Sequence, residues 1–532
     1  MDDEGAELSL TIVQLVQRLK GSHLHAQMER EARECLHQPE IRLDSIKDDV
    51  RSFLRTSGWE KKLQNAVYRE LQVERLAWSL TAAAAMPPEH VKEPLAYMRK
   101  AQADWERRIL KSLNGMSTEL GVPLARMRTA AEQRELSSKW NEMGTDEADL
   151  SGFRPIYAAK DFLEVVVALR SPNHKCGGGD DEEAGSRSHW GLIQVPLDVQ
   201  DIQQLRGAYA ELNLAAGQLG IDDDAHIHPD FFERDYVETA KKVLGGQDSA
   251  AAQQYSRRGC PTGLRADLWA LILNSVDRPQ DAMHFEQLKA GVLQHDLLVD
   301  HLIRKDVKLT ASNDDYYFVF EDFLYQVLLC FSRDASVLEH FKYNSATPAK
   351  SYIRGKEGDE AYAVVYPPNG VIPFHGFSMY VAPLCFLYKE PSELYSVFRE
   401  MYTRYFFRLH SVSSARSGIV SLCLLLERLL QTHLPRLFHH LRRIGAQPLR
   451  IAFKWLLRAF SGYLCTDQLL FLWDRILGYD SLELVAVLAA AVFAFRADNL
   501  MEVTSLASAE AVLADLSTLR VMPLIQSFLF AI

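Results

Sequence analysis

The stretch RGCPTGLRADLWAL, residues 258–271, contains the strongest indication of local structure in this chain. Gly259 and Pro261 favour a turn that leads into a helix, because proline is well tolerated in the first helical turn. The apolar positions of this helix are three and four residues apart and are Leu264, Leu268 and Leu271. Arg265 and Trp269 are one helical turn apart on the adjoining face, where they are close enough to stack. The stretch therefore predicts an amphipathic helix with an Arg–Trp contact at its surface.

The length and composition of the chain are those of a globular protein with more than one domain. Its 532 residues exceed the size at which a single hydrophobic core usually stops growing. Hydrophobic residues make up 48% of the chain and charged residues 24%, which excludes a fibrous or wholly disordered protein. The net charge is −11 and we find no basic patch in the sequence, so nucleic acid is not an expected partner.

The first residues, the cysteines and the longest apolar run together predict a cytoplasmic location. The start MDDEGAELSL is acidic and lacks the continuous apolar stretch of a secretory signal. The seven cysteines are scattered, odd in number and form no CxxC pair, which suits free thiols in a reducing compartment. The run from Leu484 to Phe495 is shorter than the ~20 residues needed to cross a bilayer. It predicts a buried core helix, and no transmembrane segment is expected.

The amino-terminal part of the chain, residues 1–245, shows mainly helical periodicity. From Leu8 onward, apolar residues recur three and four positions apart, as in amphipathic helices. Residues 171–187 combine a glycine run with an acidic run, which predicts a flexible surface loop. A second polar stretch, residues 245–249, marks the expected boundary with a domain that covers residues 250–532. We expect the two regions to be separable, with the first proteolytic cut in the loop.

The carboxy-terminal half also favours helices, so the predicted fold class is all-α. Val364, Val365 and Tyr366 form the only short strand candidate, and Pro367 and Pro368 end it. No internal repeat of fixed period is visible, which argues against a solenoid. The expected architecture is an amino-terminal helical region followed by an all-helical domain.

Several motifs of the second half resemble those of the TBC domain, the all-helical catalytic domain of Rab GTPase-activating proteins. The pattern G-x-P-x-x-L-R-x-x-x-W, which starts at Gly259, resembles the opening motif of that domain. Further similar segments follow in the expected order and are Ile303–Val307 (IRKDV), Pro373–Phe377 (PFHGF), Phe453–Leu456 (FKWL) and Leu472–Leu477 (LWDRIL). The resemblance covers roughly residues 255–499 and implies a Rab-family small GTPase as the partner.

The resemblance implies that two side chains enter the GTPase active site, an arginine in I-x-x-D-x-x-R and a glutamine in Y-x-Q. The planar arginine cation neutralises charge on the transferring phosphoryl group, and the glutamine amide orients the attacking water. In this chain the arginine position, three residues after Asp306, is Leu309. The glutamine position is His375, which is followed by Gly376, and Pro373 replaces the tyrosine. Both finger residues are therefore missing, and we assign no catalytic residue.

The predicted function is recognition of a GTP-loaded Rab-family GTPase in vesicle trafficking, with weak or absent stimulation of hydrolysis. The residues expected to contact the GTPase are Arg265, Asp306, Leu309, His375 and Gly376. The motif residues expected to stabilise the fold are Trp269, Ile303, Trp455, Trp473 and Asp474. Peripheral membrane association would come through the GTPase. No cofactor is expected, because we find no nucleotide-binding motif and any GTP belongs to the partner.

Two alternative functions follow from the same residues. An active GTPase-activating protein would take its substitutes from Arg304 or His375, or use a glutamine of the GTPase itself. A helical scaffold would bind no GTPase, and its TBC fold would only support the amino-terminal helices.

The stretch 222–230 contains several Asp and His residues, as a metal site does. Its flanking Gly and Pro indicate a polar loop, so no metal is expected.

Overall fold

A computed structural model shows a chain built of packed helices. The described residues are 12–13, 15–36, 46–81, 96–145, 149–169, 191–213, 236–276, 278–311, 317–340, 350–353, 362–365 and 367–531. In the amino-terminal region the α-helices are His23–Leu36, Ile46–Thr56, Trp59–Thr81, Ala96–Leu120, Ala130–Ser138, Ala159–Val167, Ile202–Ala208 and Glu238–Gly245. The loop predicted at residues 171–187 lies outside the described residues.

The second half is also helical, and the predicted all-α fold class is confirmed. Its α-helices are Ser249–Ser256, Arg265–Leu273, Arg278–Gln294, Leu298–Asp306, Glu321–Arg333, Ala335–Glu339, Pro391–Arg404, Ile419–His433, Pro435–Arg443, Pro448–Leu457, Thr466–Tyr479, Glu483–Phe495, Ala497–Glu502, Leu506–Val512 and Val521–Gln526. Short 3-10 or π-helical turns connect several of them.

Local sequence chemistry fixes where several of these helices begin. Asp248 caps the helix Ser249–Ser256, because its carboxylate accepts hydrogen bonds from the first backbone amides of that helix. Proline occupies the first turn of the helices that begin at Pro391, Pro435 and Pro448, where its missing N–H group costs nothing. The helical periodicity of the sequence is thus reinforced by start signals in the chain itself.

Within the described residues, four short strands form two antiparallel pairs. Strand β1, Ala125–Met127, pairs with β2, His295–Leu297, and so joins the amino-terminal region to the second half. Strand β3, Lys350–Ile353, pairs with β4, Tyr362–Val365. The strand predicted at residues 364–366 is present in part within β4. The other three strands were not predicted, because three or four residues give too little alternation to recognise.

One continuous hydrophobic core extends through both regions of the chain. Every side chain of Leu484–Phe493 is buried, as predicted for the run from Leu484 to Phe495, but Phe495 at its end is 61% exposed. Ring contacts cross between the regions, with centroid distances of 6.1 Å for Phe162 and Phe453 and 5.7 Å for Tyr157 and Phe374. No helix in the described part of the chain has the length and apolar character needed to cross a membrane.

Polar contacts also join the two regions. Arg69 of the amino-terminal region donates a hydrogen bond to the buried Glu400 at 2.9 Å. Burial alone would raise the pKa of Glu400, but the cations Arg69, Arg399 and Arg404 outweigh it and lower that pKa to about 2. Glu400 is therefore ionised and paired at neutral pH. The domain boundary near residue 245 stays a prediction, and both charge pairs and apolar packing cross it.

Trypsin cleavage within residues 171–187 should leave the two fragments associated. This segment offers Lys175 and Arg187 as cleavage sites, and the shared core and the Arg69–Glu400 pair hold the fragments together after the cut. Size-exclusion chromatography of the cleaved protein, with mass spectrometry of the peak, tests this. Fragments that elute separately, or a first cut inside residues 264–477, would contradict it.

Candidate functional site

Asp306 lies at a helix end that packs on a turn from a distant part of the chain. The helix that ends at Asp306 continues as a π-helical turn, Val307–Ala311. Residues 373–378, called the finger turn from here on, lie against it. The buried Asp306 carboxylate accepts hydrogen bonds from the Gly376 amide at 2.5 Å and from the Ser378 amide at 2.8 Å. Asp306 therefore fixes the finger turn to the end of the helix.

The environment of Asp306 is polar but closed to solvent. Burial raises the pKa of Asp306, and the hydrogen bonds from Gly376 and Ser378 and the nearby Arg458 cation only partly offset that effect. The Thr310 hydroxyl forms a hydrogen bond with the Ser378 hydroxyl at 2.5 Å, which adds a second link between the two segments. Asp306 is thus a residue that shapes the turn, and it offers no surface to a partner.

Leu309 and His375 are the exposed residues of this site. Leu309 is 40% exposed on the π-helical turn, and 37% of the His375 side chain is exposed on the finger turn. Asp306 and Gly376 are buried. Because Asp306 ties the two segments together, Leu309 and His375 lie on neighbouring loops of one surface.

The backbone of His375 is held from both sides. Its amide donates to the Tyr157 carbonyl oxygen at 3.0 Å, a contact with the amino-terminal region. Its own carbonyl oxygen accepts from Arg458 Nη2, also at 3.0 Å. In the ring, Nδ1 lies 3.9 Å from Asp306 Oδ1, and it is buried without a hydrogen bond among the described residues. The direction of the His375 side chain is therefore set by a fixed main chain.

Gly376 is the residue type that this turn requires. Its φ angle is +97°, a conformation that side-chain-bearing residues rarely adopt. A Cβ atom at this position would lie 1.9 Å from Arg458 Nη2, well inside van der Waals contact. The Arg458 guanidinium therefore packs directly over Gly376 and next to His375.

A second group of predicted residues forms a buried polar cluster of Arg265, Trp269 and Asp474. Arg265 Nε lies 3.1 Å from Asp474 Oδ1, and Arg265 Nη2 lies 3.1 Å from Asp474 Oδ2. The Trp269 ring N–H donates to Asp474 Oδ1 at 2.7 Å, and the Cys260 amide donates to Oδ2 at 3.0 Å. Arg265 is 2% exposed and Asp474 is 0% exposed. Such a paired, hydrogen-bonded charge is tolerated in a core only while both partners are present.

This cluster corrects two expectations for Arg265. Its guanidinium does not lie at the surface, since Arg265 and Trp269 are both buried, and it faces the ring of Phe471 at 5.4 Å. It is also not available for contact with a GTPase, because it is buried and bound to Asp474. The four-residue spacing correctly placed Arg265 and Trp269 side by side, but what they share is an acceptor on another helix.

The sequence is similar to that of a known protein along its whole length. The family model of the Rab-GTPase-TBC domain matches residues 361–501. TBC1 domain family member 19 of Homo sapiens is 69% identical over 531 residues, which cover 100% of this chain and 99% of the human protein. The chain belongs to the TBC domain family. The resemblance inferred from the sequence motifs is thereby confirmed.

Two solved TBC structures match the chain at low sequence identity. The crystal structure of the Chlamydomonas flagellar RabGAP TBC domain is 14% identical, with a TM-score of 0.41, and the match covers 63% of this chain and 97% of that domain. The crystal structure of the Ypt/Rab-GAP domain of Gyp1p is also 14% identical, with a TM-score of 0.41 and coverage of 55% and 96%.

The remaining TBC motif residues lie inside the protein. Trp473 donates its ring N–H to the Ala459 carbonyl oxygen at 3.1 Å. Trp455 stacks on Phe460 with a centroid distance of 5.8 Å, and Ile303 is buried as well. Their contacts are with the core, so of the ten residues predicted to contact the GTPase or to stabilise the fold, only Leu309 and His375 present side chains for recognition.

The described residues contain no group of three or more His, Cys, Asp or Glu side chains that would hold a metal ion. The His- and Asp-rich stretch 222–230 lies outside them.

Sequence reasoning missed two residues that position the finger turn of this TBC chain, Tyr157 and Arg458. Tyr157 acts through its main-chain carbonyl, which any residue type provides. Arg458 directly follows the helix that contains the FKWL motif, so a charged residue beside a TBC motif was visible. The contact of Arg458 with His375 could not be predicted, because local sequence patterns carry no information about contacts between distant segments.

Proposed function

We propose that this chain binds a GTP-loaded Rab-family GTPase at the surface that presents Leu309 and His375, with weak or absent stimulation of hydrolysis. The matching family model is that of the Rab-GTPase-TBC domain, which supports a Rab-family GTPase as the class of partner. The Asp306-bound finger turn supports a preformed binding surface, since its backbone is held by hydrogen bonds from several segments.

The observation that carries the proposal is the chemistry of the two exposed side chains. Leucine at 309 neither donates a hydrogen bond nor carries charge, so it cannot neutralise a transferring phosphoryl group. An arginine finger typically accelerates hydrolysis by ~10³–10⁵, which corresponds to roughly 4–7 kcal/mol of transition-state stabilisation. Nothing in the side chain of Leu309 replaces that contribution.

An active GTPase-activating protein is the second candidate, and the exposure of His375 favours it. A ring nitrogen of His375 is able to position water, and the candidate is Nε2, because Nδ1 is buried. Arg304 is a poorer substitute for the missing arginine. Burial lowers the pKa of His301 and the Arg304 charge adds to that effect, whereas burial raises the pKa of Tyr325 and the Arg304 charge offsets it in part, so Arg304 lies near those two residues.

The proposal also concerns the compartment in which the chain acts and its association with membranes. We propose that the chain acts in the cytoplasm on a GTPase of vesicle trafficking and associates with membranes only through that GTPase. This part rests on the family and on the kind of partner that it implies.

Leu309→Glu should weaken binding to the best-binding GTP-loaded Rab by about tenfold or more, because it places a desolvated negative charge in the interface. A binding screen of the purified chain against a panel of GTP-loaded and GDP-loaded Rabs, with hydrolysis followed in parallel, identifies that Rab. The wild type should prefer the GTP-loaded form and accelerate its hydrolysis little.

Leu506→Glu is the matched control for this substitution. Leu506 is 37% exposed on the helix Leu506–Val512, so the same change of residue is made at a similarly exposed leucine. It should bind as the wild type does. If the wild type binds no Rab, the proposed function is wrong and the alternative of a helical scaffold remains. If Leu309→Glu and Leu506→Glu lose affinity equally, Leu309 is not at the interface.

A further inference from the structure

Arg458 is the cation that touches the finger turn. It follows the helix Pro448–Leu457 and is partly exposed. One of its nitrogens, Nη2, donates to the His375 carbonyl oxygen at 3.0 Å. The same guanidinium lies over Gly376, where a Cβ atom would meet it at 1.9 Å. Its carbon Cζ is 5.8 Å from the centre of the Tyr463 ring, which supports the group from another side.

The charge of Arg458 is not neutralised by an ion pair within the described residues. Its cation lowers the pKa of Asp306, but burial has the larger effect and keeps that pKa raised. Of the other cations near this helix end, Lys305 donates to the Leu150 carbonyl oxygen at 3.2 Å, Arg304 lies near His301 and Tyr325, and Lys308 is partly buried on the π-helical turn beside Leu309. Arg458 is hydrogen-bonded to the main chain of His375 and so brings a positive charge to the finger turn.

An arginine side chain carries five N–H donors in a planar fork, and the bond to His375 uses one of them. The remaining donors suit an anion with several oxygen acceptors, and phosphate is such a group. The fork is already ordered by His375 and Tyr463, so little side-chain freedom is lost when it binds.

We propose that Arg458 contacts the terminal phosphate of the nucleotide held by the bound GTPase and makes binding selective for the GTP-loaded form. This inference rests on the proposed function, because it requires a GTPase on the Leu309–His375 surface. It assigns the phosphate contact to a residue outside both finger positions. The cation comes from the residue that directly follows the helix with the FKWL segment, and the leucine at 309 brings no charge of its own to the finger turn.

The test compares Arg458→Gln and Arg458→Lys in the full chain. Glutamine keeps an N–H donor for the His375 carbonyl and removes the charge, whereas lysine keeps the charge and loses the fork. The best-binding Rab, loaded either with GDP or with a non-hydrolysable GTP analogue, is titrated with each variant. Arg458→Gln should lower the affinity ratio between the two nucleotide states by about tenfold, and Arg458→Lys should retain part of it.

Lys454→Ala is the matched control. Lys454 lies one helical turn earlier, is exposed, and also faces the Tyr463 ring, at 5.7 Å, but it does not contact His375. Its removal should leave the nucleotide ratio unchanged. Thermal unfolding of each variant checks that the fold is intact.

The outcomes separate this inference from the proposed function. If Arg458→Gln weakens both nucleotide states equally, or changes neither, Arg458 is a structural support of the turn and the inference is wrong while GTPase binding stands. If the wild type binds no Rab in either state, the proposed function and the inference both fail. A loss of selectivity in Lys454→Ala equal to that in Arg458→Gln would also overturn it, because the effect would then come from general surface charge.

Discussion

Leu309→Arg combined with His375→Gln should raise the rate of GTP hydrolysis by the bound Rab on the order of 10³-fold or more. The arginine would supply the planar cation that Leu309 lacks, and the glutamine would orient the attacking water. Both substitutions fall on exposed positions, so the new side chains need not displace the core. Asp306 already holds the two segments together, which leaves little rearrangement for the new residues to induce.

Each single substitution should accelerate hydrolysis less than the double substitution does, and the two single effects should not add up to the double effect. Charge neutralisation and water positioning act on one transition state, so their contributions are not additive. Single-turnover hydrolysis at equal occupancy of the complex compares the wild type, both single variants and the double variant. Leu506→Arg serves as a control, because it adds the same positive charge at another exposed leucine.

Two results would contradict this account of the finger positions. Strong wild-type turnover that survives alanine at Arg304, at His375 and at Arg458 would show that the GTPase supplies its own catalytic groups. A double variant that binds but stays inactive would show that Leu309 and His375 do not lie beside the nucleotide.

Asp474→Ala should lower the free energy of unfolding by ~3–5 kcal/mol, because it leaves a buried arginine without its counter-charge. The Trp269 ring N–H and the Cys260 amide would lose their acceptor at the same time. Chemical denaturation measures the change. Asp498→Ala is the control, since Asp498 is an exposed residue on the helix Ala497–Glu502, and its replacement should change stability by less than about 1 kcal/mol.

Two further variants define what Asp474 contributes. Trp269→Ala should cost ~3–5 kcal/mol through loss of a fully buried ring. Arg265→Met with Asp474→Leu should cost less than Asp474→Ala alone, since it leaves no unpaired charge, whereas the Trp269 ring N–H and the Cys260 amide lose their acceptor in both cases. A folded Asp474→Ala variant with nearly unchanged stability would argue against the buried pair. A Trp269→Ala variant of normal stability that no longer binds the GTPase would place this tryptophan at the interface.

Residue spacing predicted the helix that carries Arg265 and Trp269 but not the residue that both contact. Asp474 follows Arg265 by 209 positions, and periodicity over one or two helical turns carries no information about such a separation. The spacing therefore suggested a surface stack, whereas the structure uses the same two side chains to enclose a carboxylate. Burial of the charge was not predictable from one helix, because it depends on what packs over it.

The finger site was predictable to a different extent. The order of the motifs placed Leu309, Asp306 and His375 in one site, since the family resemblance supplied the long-range pairing. Tyr157 and Arg458 were not predictable, because their contacts with His375 involve main-chain groups that every residue has. The contacts between the amino-terminal region and the second half were not predictable either, because the three-residue strands β1 and β2 leave no recognisable pattern in the sequence.

The pairing of β1 with β2 affects how this protein folds while it is being made. Arg128 directly follows β1, and its guanidinium contacts Asp300, 172 residues later in the chain. At a synthesis rate of about 5–20 residues per second, the ribosome delivers Asp300 roughly ten to thirty seconds after Arg128. Throughout that interval the first half of the nascent chain has neither its strand partner nor the apolar surface on which it finally packs. The first half therefore stays only partly folded at the ribosome during this time. A chaperone that binds the nascent amino-terminal helices would act on this long-lived intermediate.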